Sequence, residues 1–241
     1  MLQETADMAH AESHRSLDAV ELIASLGPAA RQALERRCVW RSWSPGAQII
    51  DRETLTNDVY FIARGRVRVV DYSSSGTREV VFDELRAGGH FGELAAIDGE
   101  PRSANVVAVE ATETAMIPGP TFAALLFDHP EIGLAVMRRL SEMVRQSTIR
   151  IMDLSTRGAN NRIYAELLRL AKTGGGFAPN TAVVSPIPVH SEIAARVSTT
   201  RETVARALSD LSHRSLLHRD DEALVILDLV QLTTMVQKFK D

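Results

Sequence analysis

The chain is short of several things. It has one cysteine, Cys38, in 241 residues. A lone thiol cannot close an internal disulfide or supply four thiolates to a cluster, which excludes a disulfide scaffold and a four-cysteine iron–sulfur centre and fits a reducing cytoplasm. No apolar run approaches about 18–20 residues, so no membrane span is indicated. Met1 to Arg15 is polar and acidic with no apolar centre, which is not the pattern of a signal peptide. The seven histidines show no metal-ligand spacing. No GxSxG or Walker sequence occurs, and Cys38 has no motif partner. The chain is therefore expected to be no enzyme, with no catalytic residues and no bound metal. Positive charge is scarce as well, since the net charge is −4. Residues 160–241 carry 10 Lys and Arg against 9 Asp and Glu, and residues 1–159 carry 17 against 22. Any contact with nucleic acid must come from a local basic face.

Hydrophobic residues make up 45% and charged residues 24%, the balance of a packed chain rather than a disordered one. The length suits two domains. Residues 1–14 read as a disordered or frayed N-terminus. From 15 to 37, Leu17, Val20, Ile23, Leu26, Ala30 and Leu34 recur at helical spacing, and Gly27-Pro28 splits them into two short helices. From Trp40 to about Pro118 the period changes to two. Val67 and Val69 alternate with Arg66 and Arg68, and Val107 and Val109 with Ala108 and Glu110. Gly46, Gly65, Gly76, Gly88-Gly89 and Gly99 punctuate short strands, which predicts an antiparallel roll or barrel.

Helix returns over Thr121–Asp128, stops at His129-Pro130, and resumes from about Glu131 to Asp153 or beyond. Met137, Leu140, Val144, Ser147, Ile151 and Leu154 follow the spacing of a coiled-coil seam. Such a stripe packs either on the chain's own sheet or on the same helix of a second copy. The flanking Arg138, Arg139, Glu142 and Arg145 favour the second copy and a two-fold homodimer. Residues 155–160 break the pattern and read as a hinge. An amphipathic helix over Arg162–Ala171, a flexible loop over Thr173–Gly176, two further helices and a terminal hairpin form a second domain.

Two motifs carry chemistry. Residues 91–104 read Phe-Gly-Glu-Leu-Ala-Ala-Ile-Asp-Gly-Glu-Pro-Arg-Ser-Ala. A small-residue turn offers backbone N–H groups, Glu93 offers an acceptor for sugar hydroxyls, and Arg102-Ser103 offers a cationic, hydroxyl-bearing cradle for phosphate. A ligand with both ribose and phosphate fits that inventory. The second motif is a short helix over His190–Val197, a turn at Ser198-Thr199-Thr200, and a helix from Arg201 to Leu211. Thr199 and Glu202 have the spacing of a capping box. Val204, Leu208 and Leu211 share one face. Glu202, Ala205, Arg206 and Ser209 lie opposite, on a helix of a size to enter a major groove. Leu216–Leu227 reads as strand, turn and strand with an acidic tip, a poor partner for phosphate.

The segment FGELA…PRSA resembles the phosphate-binding cassette of the cyclic-nucleotide-binding β-roll. Arg201-Glu202-Thr203-Val204-x-Arg206 is similar to the recognition helix of bacterial regulators of the cyclic AMP receptor protein (CRP/FNR) family. The resemblance implies an α+β chain: an antiparallel β-roll of double-stranded β-helix or jelly-roll type over residues 15–130, a dimerisation helix over 131–157, and a winged helix-turn-helix over 158–241. It implies a cyclic AMP-dependent transcription regulator in the cytoplasm that binds a palindromic TGTGA-type site on double-stranded DNA as a homodimer and works with RNA polymerase. The alternative within the family is another effector, such as cyclic GMP, or none. A haem sensor is disfavoured, with His90 beside the cassette as the one ligand to consider.

The implied nucleotide contacts are Gly92, Glu93 to the ribose 2′-hydroxyl, Leu94, Arg102 and Ser103 to the cyclic phosphate, and Ala104. Counting back from Arg162 puts Ser147 and Thr148 at the base, in the reverse of the family's usual order. Ser147 also fills a seam position where leucine would pack better; a purine edge or the carbonyl four residues back would satisfy it. The implied DNA contacts are His190, Ser191, Thr200, Arg201, Glu202, Thr203 and Arg206. Arg201 and Arg206 would read guanine and Glu202 cytosine, although Glu202 could instead only close the capping box. Ser198 stands where the family often has glycine.

Overall fold

A computed structural model describes residues 15–72, 79–174 and 176–237. The expected frayed segment 1–14 and the turn at Gly76 lie outside them. The chain divides into two compact units, one of residues 1–71 with 81–142 and the other of residues 72–80 with 143–241.

The first unit opens with a 3-10 turn, Glu21–Ile23, and helix α1, Pro28–Glu35. Pro28 takes the first helical position, where its missing N–H is not needed. The period-two region folds as β1 (Val39–Trp43), β2 (Gln48–Ile50), β3 (Val59–Arg64), β4 (Arg66–Tyr72), β5 (Glu79–Arg86), β6 (His90–Phe91), β7 (Asn105–Ala108) and β8 (Thr112–Ile117). They form two sheets, in the orders β1-β8-β3-β6 and β2-β7-β4-β5. The recorded ladders are antiparallel, as the alternation predicted.

On β7 the phase differs from expectation. Val106 and Ala108 are buried, while Val107 and Val109 are only half-buried. Val106 pairs with Val69 and Ala108 with Val67. With four consecutive apolar residues, Val106 to Val109, the neighbouring strand rather than local alternation decides which face is inward. Helices α2 (Glu93–Asp98) and α3 (Gly119–Asp128) complete the unit's helical cover. The long α4, Pro130–Thr156, buries Ile132 and Val136 against Leu17, Ile23, Phe61, Ile117 and Phe122. The division between the two units falls within α4.

In the second unit only Arg157 and Gly158 separate α4 from α5, Ala159–Gly174. The hinge expected over residues 155–160 is therefore mostly helix. Polar side chains in and just after it find partners that leave the helices intact. Thr156 Oγ1 donates to Met152 O at 2.7 Å, and Asn161 Nδ2 donates to Met235 O at 3.2 Å. Of the loop expected over 173–176, Thr173 and Gly174 are helical, Gly176 begins a strand, and residue 175 lies outside the described residues. Gly174 ends α5, and β9 (Gly176–Ala178) is held by pairing with β10 (Thr181–Val184). Helices α6 (His190–Arg196) and α7 (Arg201–His213), strands β11 (Leu217–Arg219) and β12 (Leu224–Ile226), and α8 (Leu229–Gln237) follow. The hairpin joins a four-stranded sheet, β11-β12-β10-β9. Ile163, Leu167, Ile193, Val204, Leu211, Ile226 and Leu232 form this unit's core. The architecture is α+β. Among the described residues no helix is long and apolar enough to cross a membrane.

Candidate functional site

The cassette is built on the β3–β6 pairing, where the Tyr60 ring stacks on Phe91 with centroids 5.0 Å apart. The chain then turns at Gly92, the N-cap of α2, with φ +88. A Cβ there would lie 2.7 Å from Asp58 O and 2.8 Å from Arg102 Nη1, so the turn requires glycine. Glu93 follows and is buried. Burial raises its carboxyl above the usual range, opposed by its own backbone N–H and by the charges of Arg139 and Arg102.

Arg102 is only 3% exposed. Its Nε donates to Thr56 Oγ1 at 2.9 Å, Nη1 to Gly92 O at 2.9 Å and Nη2 to Asp58 O at 2.8 Å. The backbone adds Arg102 N to Thr54 O and Glu53 N to Arg102 O, both at 3.0 Å. The guanidinium thus commits three of its five N–H donors to neutral oxygens and keeps two. Among the described residues it makes no ion pair. Burial lowers its pKa, yet an arginine stays charged at neutral pH. The charges of Asp58 and Glu93 act on it without an ion-pair contact, and a buried cation so placed gains when an anion arrives to share the site. Ser103 is exposed, Leu94 half-buried and Ala104 buried beside it.

The sequence reading gave no site role to Arg139 or Asp83. Arg139 of α4 donates from Nη2 to Asp83 Oδ2 of β5 at 3.1 Å. Its charge acts on both Glu93 and His90. His90 is buried, and its Nε2 has no hydrogen-bond partner among the described residues. Burial first, then Arg139, holds its pKa down to about 4, so the ring is neutral at pH 7. The seam had marked Arg139 as a flanking charge. Its tertiary partner is 56 residues away and left no local signal. Among the described residues no group of three or more His, Cys, Asp or Glu could hold a metal ion.

Ser147 and Thr148 are exposed on α4, within the second unit. The bond to the carbonyl four residues back is made by Thr148 Oγ1, to Val144 O at 2.9 Å. Along the seam, Met137, Val144, Ile151 and Leu154 are exposed in the single chain.

In the helix-turn-helix, Val204, Ala207, Leu208 and Leu211 are buried. Arg201, Glu202, Arg206 and Ser209 are exposed on the other side of α7. The expected capping box is corrected. Thr200, not Thr199, is the N-cap, and its hydroxyl accepts from Thr203 N at 3.3 Å. Thr199 is buried, and its N–H donates to Ala194 O at 2.9 Å. Glu202 therefore closes no box with Thr199. Its carboxyl is held below the usual range by its own backbone N–H, then by the Thr200 hydroxyl. Thr203 Oγ1 lies 3.1 Å from Thr200 Oγ1 and accepts from Arg206 Nη2 at 3.4 Å. His190 is half-buried and Ser191 exposed at the start of α6. Ser198 has φ +53, which explains why glycine suits that position.

Comparison with known proteins places two matches on this geometry. Residues 40–129 match the cyclic nucleotide-binding domain, and residues 161–235 match the Crp-like helix-turn-helix domain. The cyclic AMP receptor protein of Thermus thermophilus is 30% identical over 177 residues, covering 73% of this chain and 78% of that protein. The CRP-like cAMP-activated global transcriptional regulator of Mycobacterium tuberculosis is 26% identical over 174 residues, covering 72% and 77%. The c-di-GMP responsive global regulator CLP of Xanthomonas campestris has the same fold, with a TM-score of 0.70 at 21% identity over 82% of this chain and 97% of that one.

Proposed function

The chain belongs to the CRP/FNR family of DNA-binding transcription regulators, and from that premise we propose that its effector is cyclic AMP. As a member it is a regulator and not an enzyme. The observation that carries the effector reading is Arg102, a buried guanidinium bonded only to neutral oxygens, with two N–H donors left and a buried carboxylate nearby. A cyclic phosphate supplies a directly bonded counter-charge through those two donors and the Ser103 hydroxyl. Glu93 accepts from the ribose 2′-hydroxyl. Gly92, Leu94 and Ala104 line the approach. Ser147 and Thr148 are proposed for the base, one hydroxyl from each of two copies.

The second copy covers the exposed seam of α4, giving a two-fold dimer. Arg201, Glu202 and Arg206 then read base edges in two half-sites of a palindrome, with His190, Ser191, Thr200 and Thr203 near the backbone. The nucleotide shifts the population toward the DNA-competent state, to which it must bind more tightly. RNA polymerase in the cytoplasm is the proposed downstream partner. The test is a gel shift of a TGTGA-type palindrome with no nucleotide, cyclic AMP, cyclic GMP or cyclic di-GMP. A shift with cyclic AMP alone is expected. Equal binding without nucleotide would sink the effector reading, and a response to another nucleotide would replace it.

A further inference from the structure

The turn between α6 and α7 is held from outside the motif. Arg162, on α5, donates from Nε to Val197 O at 2.9 Å and from Nη2 to Ser198 O at 3.3 Å. The same guanidinium donates from Nη1 to Arg157 O at 2.8 Å. Arg157 is one of the two residues that join α4 to α5. A second arginine reaches the turn from α4: Arg150 Nη2 donates to the Ser198 hydroxyl at 3.4 Å. Burial lowers the pKa of Arg150, and the buried Glu166 carboxylate supports its charge. Glu166 also binds Arg169 through two bonds of 2.6 and 2.7 Å and lies 3.9 Å from Arg196 of α6.

Ser198 is the odd member of this set. Its φ of +53 is a conformation that glycine adopts freely and that strains another L-residue. Glycine would remove the strain, and it would also remove the hydroxyl that Arg150 holds.

We propose that Ser198 and Arg162 are positioning residues for DNA recognition, tying the helix-turn-helix turn to the α4–α5 junction. The presentation of α7 then follows that junction rather than the packing of the two motif helices alone. A planar guanidinium with three acceptors around it is a rigid connector, which a lysine ammonium cannot reproduce. Ser198 lies three residues before Arg201, the first residue of α7. Any shift of the turn reaches the base-facing first turn of α7 directly. Phosphate contacts tolerate such a shift better than base contacts, which need defined geometry.

The test uses the full-length chain and the variants Ser198→Gly, Arg150→Met, their combination, and Arg162→Lys. Each is measured for thermal midpoint and for affinity to two duplexes, one selected by the wild-type chain from a random pool and one unrelated, with and without cyclic AMP. Ser198→Gly is expected to match or exceed the wild-type midpoint. Its preference for the selected duplex should nevertheless fall by roughly fivefold or more, a size ordinary for coupled side chains. Arg150→Met should fall by a similar factor, and the combination no further than the larger single change. Arg162→Lys keeps the charge, so it should lose preference without losing affinity for the unrelated duplex. An unchanged preference in Ser198→Gly overturns the proposal. So do losses that multiply in the combination, losses equal on both duplexes, or a lower midpoint that parallels the lost preference. The selected duplex is defined by the wild type itself, so failure of the cyclic AMP reading leaves this test intact.

Discussion

Arg102 in the cassette and Arg201 and Arg206 on α7 are the same residue type in opposite settings. Arg102 is buried and fixed by three neutral oxygens, with no carboxylate bonded to it among the described residues. Arg201 and Arg206 are exposed, and among the described residues the one hydrogen bond either guanidinium makes is the long contact from Arg206 to Thr203. The first setting suits a small anion that must be recognised with few contacts, because orientation and desolvation are met during folding. The second suits a large polyanion, where many exposed cations release counter-ions and adjust to base edges. One consequence is that damage to the cassette should reach the fold, whereas damage to the α7 surface should reach only DNA.

Gly92→Ala gives the sharpest contrast. It forces a residue at φ +88 and sets a Cβ against Asp58 O and Arg102 Nη1. A stability loss of about 2–4 kcal/mol, read by denaturant unfolding, is expected together with weaker nucleotide binding. Normal stability and binding would break the contrast between the two arginine settings. Next in size is the buried imidazole of His90. Its folded pKa of about 4 lies below the ordinary 6.5, so the stability it confers is full above about pH 6.5 and lost as pH falls toward 4. His90→Gln should flatten the acid limb of a stability–pH curve by up to about 3 kcal/mol. An unchanged slope would remove His90 as its source.

At the exposed arginines of α7 the effects should be smaller and confined to DNA. Arg201→Ala is expected to cost roughly 1–3 kcal/mol of discrimination at one base pair, with stability and nucleotide affinity unchanged. If every sequence weakened equally, Arg201 would be a phosphate contact. Smallest is the cap: Thr200→Ala should cost about 1 kcal/mol in thermal unfolding. No loss there would return the N-cap to Thr199.

Much of this was legible from residues alone. The turn at Gly92, with Glu93 behind it and Arg102 beside it, was legible as one cassette, and α7 was visible from its apolar spacing. What the sequence could not carry is long-range. Arg102 finds Thr56 and Asp58 from 46 and 44 residues away, and Arg139 finds Asp83. No local pattern encodes such pairings. The misplacement of the cap came from two adjacent threonines, where helix ends are ambiguous by a residue. The overlong hinge came from reading the end of the seam pattern over residues 155–160 as a break in the helix. Thr156 bonds back to its own helix and Asn161 to α8, so neither breaks anything.

Titration calorimetry of cyclic AMP against the wild type and Arg102→Gln addresses the buried cation itself. Glutamine keeps polar donors but cannot supply the charge. Saturable one-to-one binding per chain is expected for the wild type, with affinity for Arg102→Gln at least about 100-fold weaker in protein that still melts cooperatively. Equal affinity in the two proteins would contradict the assignment of Arg102 as the anchor of the phosphate.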